Sequence, residues 1–190
     1  MICGPLVLGI TGASGMLYLP PFLHLLGAAG VDVHGIISRS GRQVLRLELG
    51  LQPEELPQVQ RWFNHDDFAA LPSSGSALYR GMVILPCTVG SLAAIAAGYS
   101  GNLIHRAADV TLKERRPLIL AVRETPLNRT HLCNMLSLHE AGAVICPPMP
   151  SFYHKPQNLG DMARHFALRL CDLLQVPVAA DDDKSRWQGV

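Results

Sequence analysis

Charge is scarce in this chain. Of its 190 residues only 16% are Asp, Glu, Lys or Arg, and 16 basic against 15 acidic side chains leave a formal net charge of +1. So even a balance exerts no pull on nucleic acid or an anionic bilayer, which leaves small molecules and protein surfaces as expected partners. With 48% apolar residues the chain is also excluded from the disordered class, which needs low hydrophobicity and high net charge. Cysteine is sparse and unpatterned: Cys3, Cys87, Cys133, Cys146 and Cys171 are odd in number and show no CxxC spacing. That argues against a disulfide framework or a zinc site, and for reduced thiols in the cytoplasm. Long hydrophobic runs are missing too. Gly, Pro or charge interrupts every apolar stretch well before the roughly 20 residues a membrane span requires. The opening MICGPLVLGITGASG has no basic region ahead of its apolar run, which argues against a signal peptide.

What is present is alternation. Strands are expected at 5–10, 31–38, 81–86, 118–122 and 143–146, and helices at 15–29, 41–49, 91–97, 130–141 and 159–174. Pro20 and Pro21 must occupy the first turn of their helix, where no backbone donor is needed. Residues 50–80, with Pro53, Pro57, Pro72 and a Ser-Ser-Gly-Ser run, read as a loop excursion with some helix. There is no internal repeat, and residues 1–190 are expected to form one domain, since cores divide only beyond roughly 250–300 residues. The tail from about 177, with Asp181 to Asp183 and Trp187, reads as exposed, Trp187 packing on a neighbour. Strands apolar on both faces, each followed by a helix, predict an α/β fold: a doubly wound parallel sheet covered on both sides. Ligands of such folds bind beyond the carboxyl ends of the strands, near the point where strand order reverses. The low charge and high apolar content also point to surface buried in a homo-oligomer.

Those strand ends carry the candidate chemistry. After the first strand comes Thr11-Gly-Ala-Ser-Gly15, where glycines at 9, 12 and 15 let backbone approach a ligand and a helix start offers N–H groups to an anion. A tight turn with Ser14 as helix cap accounts for the same residues. The dinucleotide fingerprint is absent: GxGxxG ending at Gly15 needs glycine where Ile10 stands, and the second strand ends in Ser38-Arg39 rather than in an acidic ribose ligand. Ser38, then Thr88 and Ser91 after the third expected strand, then Arg123 after the next, bring hydroxyls and a guanidinium to one crevice. That set suits a phosphate monoester, and so a mononucleotide such as FMN. Lys113, Tyr153 and Arg169 suggest a second anion site, although each alone reads as a solvated polar residue.

Taken together, Thr11–Gly15, Met82-Val-Ile-Leu-Pro-Cys87, Arg106-Ala-Ala-Asp109, Leu112-Lys-Glu-Arg-Arg-Pro-Leu118, Arg123-Glu-Thr-Pro126, Gly142-Ala-Val-Ile145, Phe152-Tyr-His-Lys-Pro-Gln157 and Arg186-Trp-Gln-Gly189 resemble the UbiX/Pad1 family of flavin prenyltransferases over nearly the whole chain. The resemblance implies a Rossmann- or flavodoxin-like domain. It implies transfer of a dimethylallyl group from dimethylallyl phosphate to N5 and C6 of reduced FMN, with no metal. The product, prenylated FMN, serves UbiD-type decarboxylases. Family members are usually dodecamers with sites shared between subunits. By matching motif, Gly12, Ala13 and Ser14 would lie against the flavin, Ser14 near N5, while Ser38, Thr88, Ser91 and Arg123 would hold the FMN phosphate and nearby atoms. Lys113, Tyr153 and Arg169 would bind the donor phosphate, with Glu48 near them across an interface, and Glu124 would handle protons. Arg39 stands where Lys is common, and Thr88 where Ser is usual. Asp181 to Asp183 lacks the DDxxD spacing of a Mg²⁺ clamp, so fixed cations must take the leaving phosphate's charge.

Two other classes stay in view. A flavin-dependent cysteine decarboxylase needs an Asn-bearing strand end and a catalytic His. The loop Pro86–Ser91 has no Asn, and His34 lies mid-strand, where a satisfied core histidine is expected. A flavin carrier needs no second phosphate site.

Overall fold

The computed structural model describes residues 4–178; the tail residues Asp181 to Asp183 and Trp187, like Cys3, lie outside it. Six strands form one parallel sheet: β1 (Leu6–Ile10), β2 (Val33–Ile37), β3 (Val59–Phe63), β4 (Gly81–Cys87), β5 (Leu118–Val122) and β6 (Val144–Ile145). Their order is β3-β2-β1-β4-β5-β6, so the direction of winding reverses between β1 and β4. The helices are α1 (Leu19–Ala28), α2 (Arg39–Leu49), α3 (Val89–Ala96), α4 (Leu103–Lys113), α5 (Arg129–Glu140) and α6 (Leu159–Leu173).

Strand periodicity divides the interior into two cores. Leu6, Leu8, Ile10, Val83, Leu85, Ile119 and Ala121 point to the layer of α1, α2 and α6, where Phe22, Leu23, Leu45, Phe166 and Leu170 meet them. Val7, Met82, Ile84, Leu118, Leu120 and Val122 point to the layer of α3, α4 and α5. Because successive side chains face opposite sides, a strand buried on both faces reads as an unbroken apolar run. α1 and α6 lie together, with Tyr18 edge-on to Phe166 at 5.1 Å. Pro20 and Pro21 sit in the first turn of α1, as their missing N–H groups require.

Two elements depart from the sequence expectation. Within 50–80 the chain adds an edge strand, β3, beside β2. Its sequence VQRWF exposes Gln60 and Arg61, and only Phe63 is buried, so no apolar run marks it. α4 was not expected either, although Leu103, Ile104, Ala107, Ala108 and Thr111 fall on one helical face and Asn102 caps it through the His105 amide. Gly9 also serves packing rather than a ligand: a Cβ there would stand 3.1 Å from Ile104 of α4.

Candidate functional site

The reversal point is clasped by one buried threonine. Thr11 Oγ1 donates to the Pro86 carbonyl at 2.8 Å and accepts the Thr88 N–H at 2.8 Å, tying the turn after β1 to the turn after β4. Pro86 has no N–H to give β5, and the β4–β5 register shifts there, as proline in a central strand requires. Beside the clasp, Gly12 closes on α2, where a Cβ would lie 2.5 Å from Ser40. Gly15 takes φ +117°, a conformation that glycine alone adopts cheaply.

Two amides of this turn, those of Gly15 and Met16, are closed to an outside anion. Glu48, near the end of α2, fills the place: its carboxylate accepts the Met16 N–H at 2.8 Å and the Gly15 N–H at 3.0 Å. Burial works against the Glu48 charge, but the Ser14 hydroxyl, the two amides and the Arg123 guanidinium outweigh it and hold its carboxyl below the usual range. Ser14 is therefore turned to Glu48, and the following turn has no side-chain cap from it. Sequence reasoning groups Glu48 with the donor-phosphate residues; within one chain it belongs to the Ser14 and Arg123 cluster.

Anion-binding capacity lies instead at two helix starts. Ser38 caps α2 by accepting from Gly41 N at 3.0 Å, and Thr88 caps α3 by accepting from Ser91 N at 3.2 Å. The caps leave the first-turn amides of residues 39–40 and 89–90 without intrahelical acceptors. Ser40 Oγ lies 3.2 Å from Ser38 Oγ, and Ser91 Oγ accepts from Thr88 Oγ1 at 3.1 Å. The Arg123 N–H donates to the Cys87 carbonyl, fixing the chain at the mouth of this crevice, while the side chains of Arg123 and Glu124 are exposed. Two helix starts, three or four hydroxyls and one guanidinium around glycine-lined backbone fit a bound phosphate monoester with a flat ring beside it. Cys87 takes no part: complete burial pushes its thiol up to about 12.

Several neighbours of this crevice escaped the sequence reading: Thr11, Ser40 and His105. His105 Nε2 lies 3.4 Å from Ser91 Oγ, and its Nδ1 is buried with no hydrogen-bond partner. A threonine opening a glycine-rich turn was the available signal for Thr11; nothing local marked His105. An open cavity of about 470 Å³ adjoins the α2 start, between Arg39, Arg42, Trp62, Phe63 and Asp66, with the Arg39–Asp66 ion pair at 2.9 Å on its rim. It lies one strand outward from the Ser14 cluster.

The remaining candidates do not join this crevice. Lys113 ends α4, which leads into the amino end of β5, and its ammonium pairs with Glu114. A Cβ on Gly75, in the segment before β4, would stand 2.6 Å from Lys113 Nζ. Lys113 thus lies at the amino edge of the sheet, whereas Arg123 lies at the carboxyl edge, one strand length away, roughly 16 Å for five residues. Tyr153 and Arg169 are exposed on and before α6. Arg169 stands near Cys146 at the end of β6, and Tyr153 Oη lies 3.2 Å from His165 Nε2. His34 is a satisfied core residue, with Nδ1 2.9 Å from Tyr79 Oη. Among the described residues no cluster of His, Cys, Asp and Glu is arranged to hold a metal, and no helix is long and apolar enough to cross a membrane.

Known proteins share this fold. The flavoprotein family model matches residues 4–165. A flavin prenyltransferase UbiX of Methanothermobacter thermautotrophicus is 44% identical over 185 residues, covering 97% of this chain and 95% of the relative. A UbiX crystal structure in complex with FMN and dimethylallyl pyrophosphate superposes with a TM-score of 0.92 at 38% identity, covering 98% of both chains. A dodecameric FMN-dependent UbiX-like decarboxylase from Escherichia coli O157:H7 superposes at 0.91 with 36% identity, over 98% of this chain and all of that one.

Proposed function

The chain belongs to the flavoprotein family and, within it, to the UbiX flavin prenyltransferases, and from that premise we propose that it transfers a dimethylallyl group from dimethylallyl phosphate to N5 and C6 of reduced FMN. The observation that carries this reading is full-length likeness: 44% identity across 97% of this chain to a named flavin prenyltransferase. Bound and reduced, FMN supplies an electron-rich ring that accepts the prenyl group, and the product is prenylated FMN for a UbiD-type decarboxylase.

The residues divide the work. The helix starts at Ser38 and Thr88, with Ser91 and Arg123, hold the FMN phosphate, while Gly12, Ala13 and Ser14 lie against the ring system. The Glu48 carboxylate on the Gly15 and Met16 amides supports that assignment, since it takes two of the turn's donors and sets a negative charge beside it, which suits a ring edge better than a phosphate. Lys113 and Arg169 take the charge that develops on the leaving phosphate, and the Tyr153 hydroxyl adds a hydrogen bond. Fixed cations of this kind stabilise developing charge most where water is excluded. Glu124, exposed at the crevice mouth with its carboxylate accepting the Thr125 N–H at 3.0 Å, handles the proton exchanged during ring closure. Holding donor and acceptor together makes the transfer effectively intramolecular, worth on the order of 7–11 kcal/mol.

The position of Lys113 at the opposite edge of the sheet supports a site completed by a second copy of the chain, in a homo-oligomer such as a dodecamer. Uncovered apolar side chains supply the contact surface. α5 buries only Leu138 and leaves Leu132 and Leu136 more than half exposed. A cytoplasmic location fits the scarce, unpatterned cysteines of the sequence.

Anaerobic incubation of the protein with reduced FMN and either dimethylallyl phosphate or the pyrophosphate, followed by mass analysis of the flavin, tests the reading. Flavin heavier by one five-carbon unit is expected. Unmodified flavin that stays tightly bound with both donors would overturn it in favour of a flavin carrier.

A further inference from the structure

Behind Tyr153 lies a polar chain that the reaction as described does not use. Tyr153 Oη is 3.2 Å from His165 Nε2, His165 Nδ1 is 3.1 Å from Ser151 Oγ, and Ser151 Oγ is 3.4 Å from His154 Nδ1. The two imidazoles stack, with centroids 4.1 Å apart and planes 10° from parallel. His154 Nε2 is buried and has no hydrogen-bond partner.

That orphan atom sets the direction of the whole chain. A buried N–H without an acceptor is rarer and costlier than an unused lone pair. His154 therefore keeps its lone pair at Nε2 and carries its proton at Nδ1, which donates to Ser151 Oγ. A hydroxyl has one proton, so Ser151 passes its own to His165 Nδ1. His165 then holds its proton at Nε2 and donates it to Tyr153 Oη. With its oxygen accepting from His165, Tyr153 keeps its own O–H in the role of a donor. Every link runs the same way, from α6 and its preceding loop toward the exposed hydroxyl.

We propose that His165, oriented by Ser151 and His154, is the positioning residue that aims the Tyr153 hydroxyl at the phosphate of the prenyl donor. The proposal rests on the reading of Tyr153 as a donor-phosphate ligand. Arg169 stands one turn beyond His165 on α6, at i+4 and so on the same face, which places the cation and the aimed hydroxyl together. Burial, and then the stacked His154, depress the His165 pKa against an opposing pull from Asp172, which keeps the ring in the neutral form the chain requires.

The test uses the full-length protein loaded with oxidised FMN, which lacks the nucleophile for transfer, and titrates dimethylallyl phosphate by calorimetry. His165→Leu is expected to weaken donor binding roughly three- to tenfold, the size of one net hydrogen bond, with FMN affinity and melting temperature unchanged. His165→Gln, whose amide replaces the Nε2–H, is expected to regain most of the affinity. His165→Asn, whose amide replaces only Nδ1, is not. In a Tyr153→Phe background the His165→Leu change is expected to cost less than about twofold more, because the shared interaction is already gone. Nitrogen-15 spectra of His165 are expected to show the Nε2–H tautomer. Donor binding that survives His165→Leu but falls in Tyr153→Phe would overturn the positioning role alone, as would equal rescue by Asn and Gln. Donor binding that survives Tyr153→Phe would overturn the reading of Tyr153 beneath it.

Discussion

The two edges of the sheet differ in completeness. At the carboxyl edge, around β1 and β4, much of the polar framework is partnered within the chain: Thr11 clasps both turns, Glu48 occupies the Gly15 and Met16 amides, and Ser38 and Thr88 cap their helices. At the amino edge Lys113 ends its helix partly in solvent, paired with Glu114. Tyr153, in the loop before α6, and Arg169, on α6, are likewise exposed. On the proposed function, a chain that partners one half of a site and leaves cations of the other half facing outward would be completed by its own copy. The half proposed to bind a large, flat, phosphate-bearing cofactor would be preorganised by the fold, and the half proposed to clamp a small leaving group would be assembled with the oligomer.

The comparison can be broken in four ways, taken from the largest expected effect downward. Lys113→Ala should lower kcat/KM for the prenyl donor about 10²- to 10³-fold, the usual loss on removing one preorganised stabilising group, while FMN affinity stays within about twofold. Equal loss of both in steady-state and flavin-titration measurements would merge the two halves. Next, Leu132→Asp with Leu136→Asp on α5 should dissociate the oligomer in analytical ultracentrifugation and cut transfer at least about tenfold, with flavin still bound, because burying an unpaired charge in a contact is prohibitive.

Thr11→Val is aimed at the completed half. It strands the Pro86 carbonyl and the Thr88 N–H, for about 1–3 kcal/mol, and should lower the calorimetric Tm by roughly 3–10 °C. A change confined to activity, with Tm unmoved, would mean that the clasp is not structural. The smallest effect concerns Glu48. Its folded carboxyl lies below the ordinary 4.5, so its contribution to stability is complete above that value and is lost as pH falls through the folded one. The stability gap between the wild type and Glu48→Gln in denaturant titrations should therefore be present at pH 7 and close in acid. A gap that widened in acid would reverse the sign of this account.

The sequence discloses the preorganised half far better than the other, for physical reasons. β1 and β4 are buried on both faces, so they appear as unbroken apolar runs, and the residues that follow them form the candidate site. β3 stays hidden because an edge strand with Gln60 and Arg61 in solvent has no apolar signature. α4 carries the right spacing, but three of its six buried residues are alanine or threonine, which mark a core weakly. The Glu48 contact joins residues more than 30 positions apart and depends on how α2 lies over the turn, which no local pattern encodes. The doubly wound fold and the absence of a dinucleotide fingerprint were open to reading, as were Ser14, Ser38, Thr88, Ser91 and Arg123 as strand-end candidates. The direction of the His154–Ser151–His165 chain was not, because it turns on one buried atom without a partner.

Subunit mixing tests the division between the two edges most directly. Arg123→Ala disables the cofactor half and Lys113→Ala the donor half. Co-expressed with different affinity tags and purified as mixed oligomers, the pair should recover prenyl transfer at about a quarter of the wild-type rate, because random assembly makes both contributors intact in that share of sites. Mixed oligomers no more active than either parent would show that each chain builds its whole site alone, and would contradict the account.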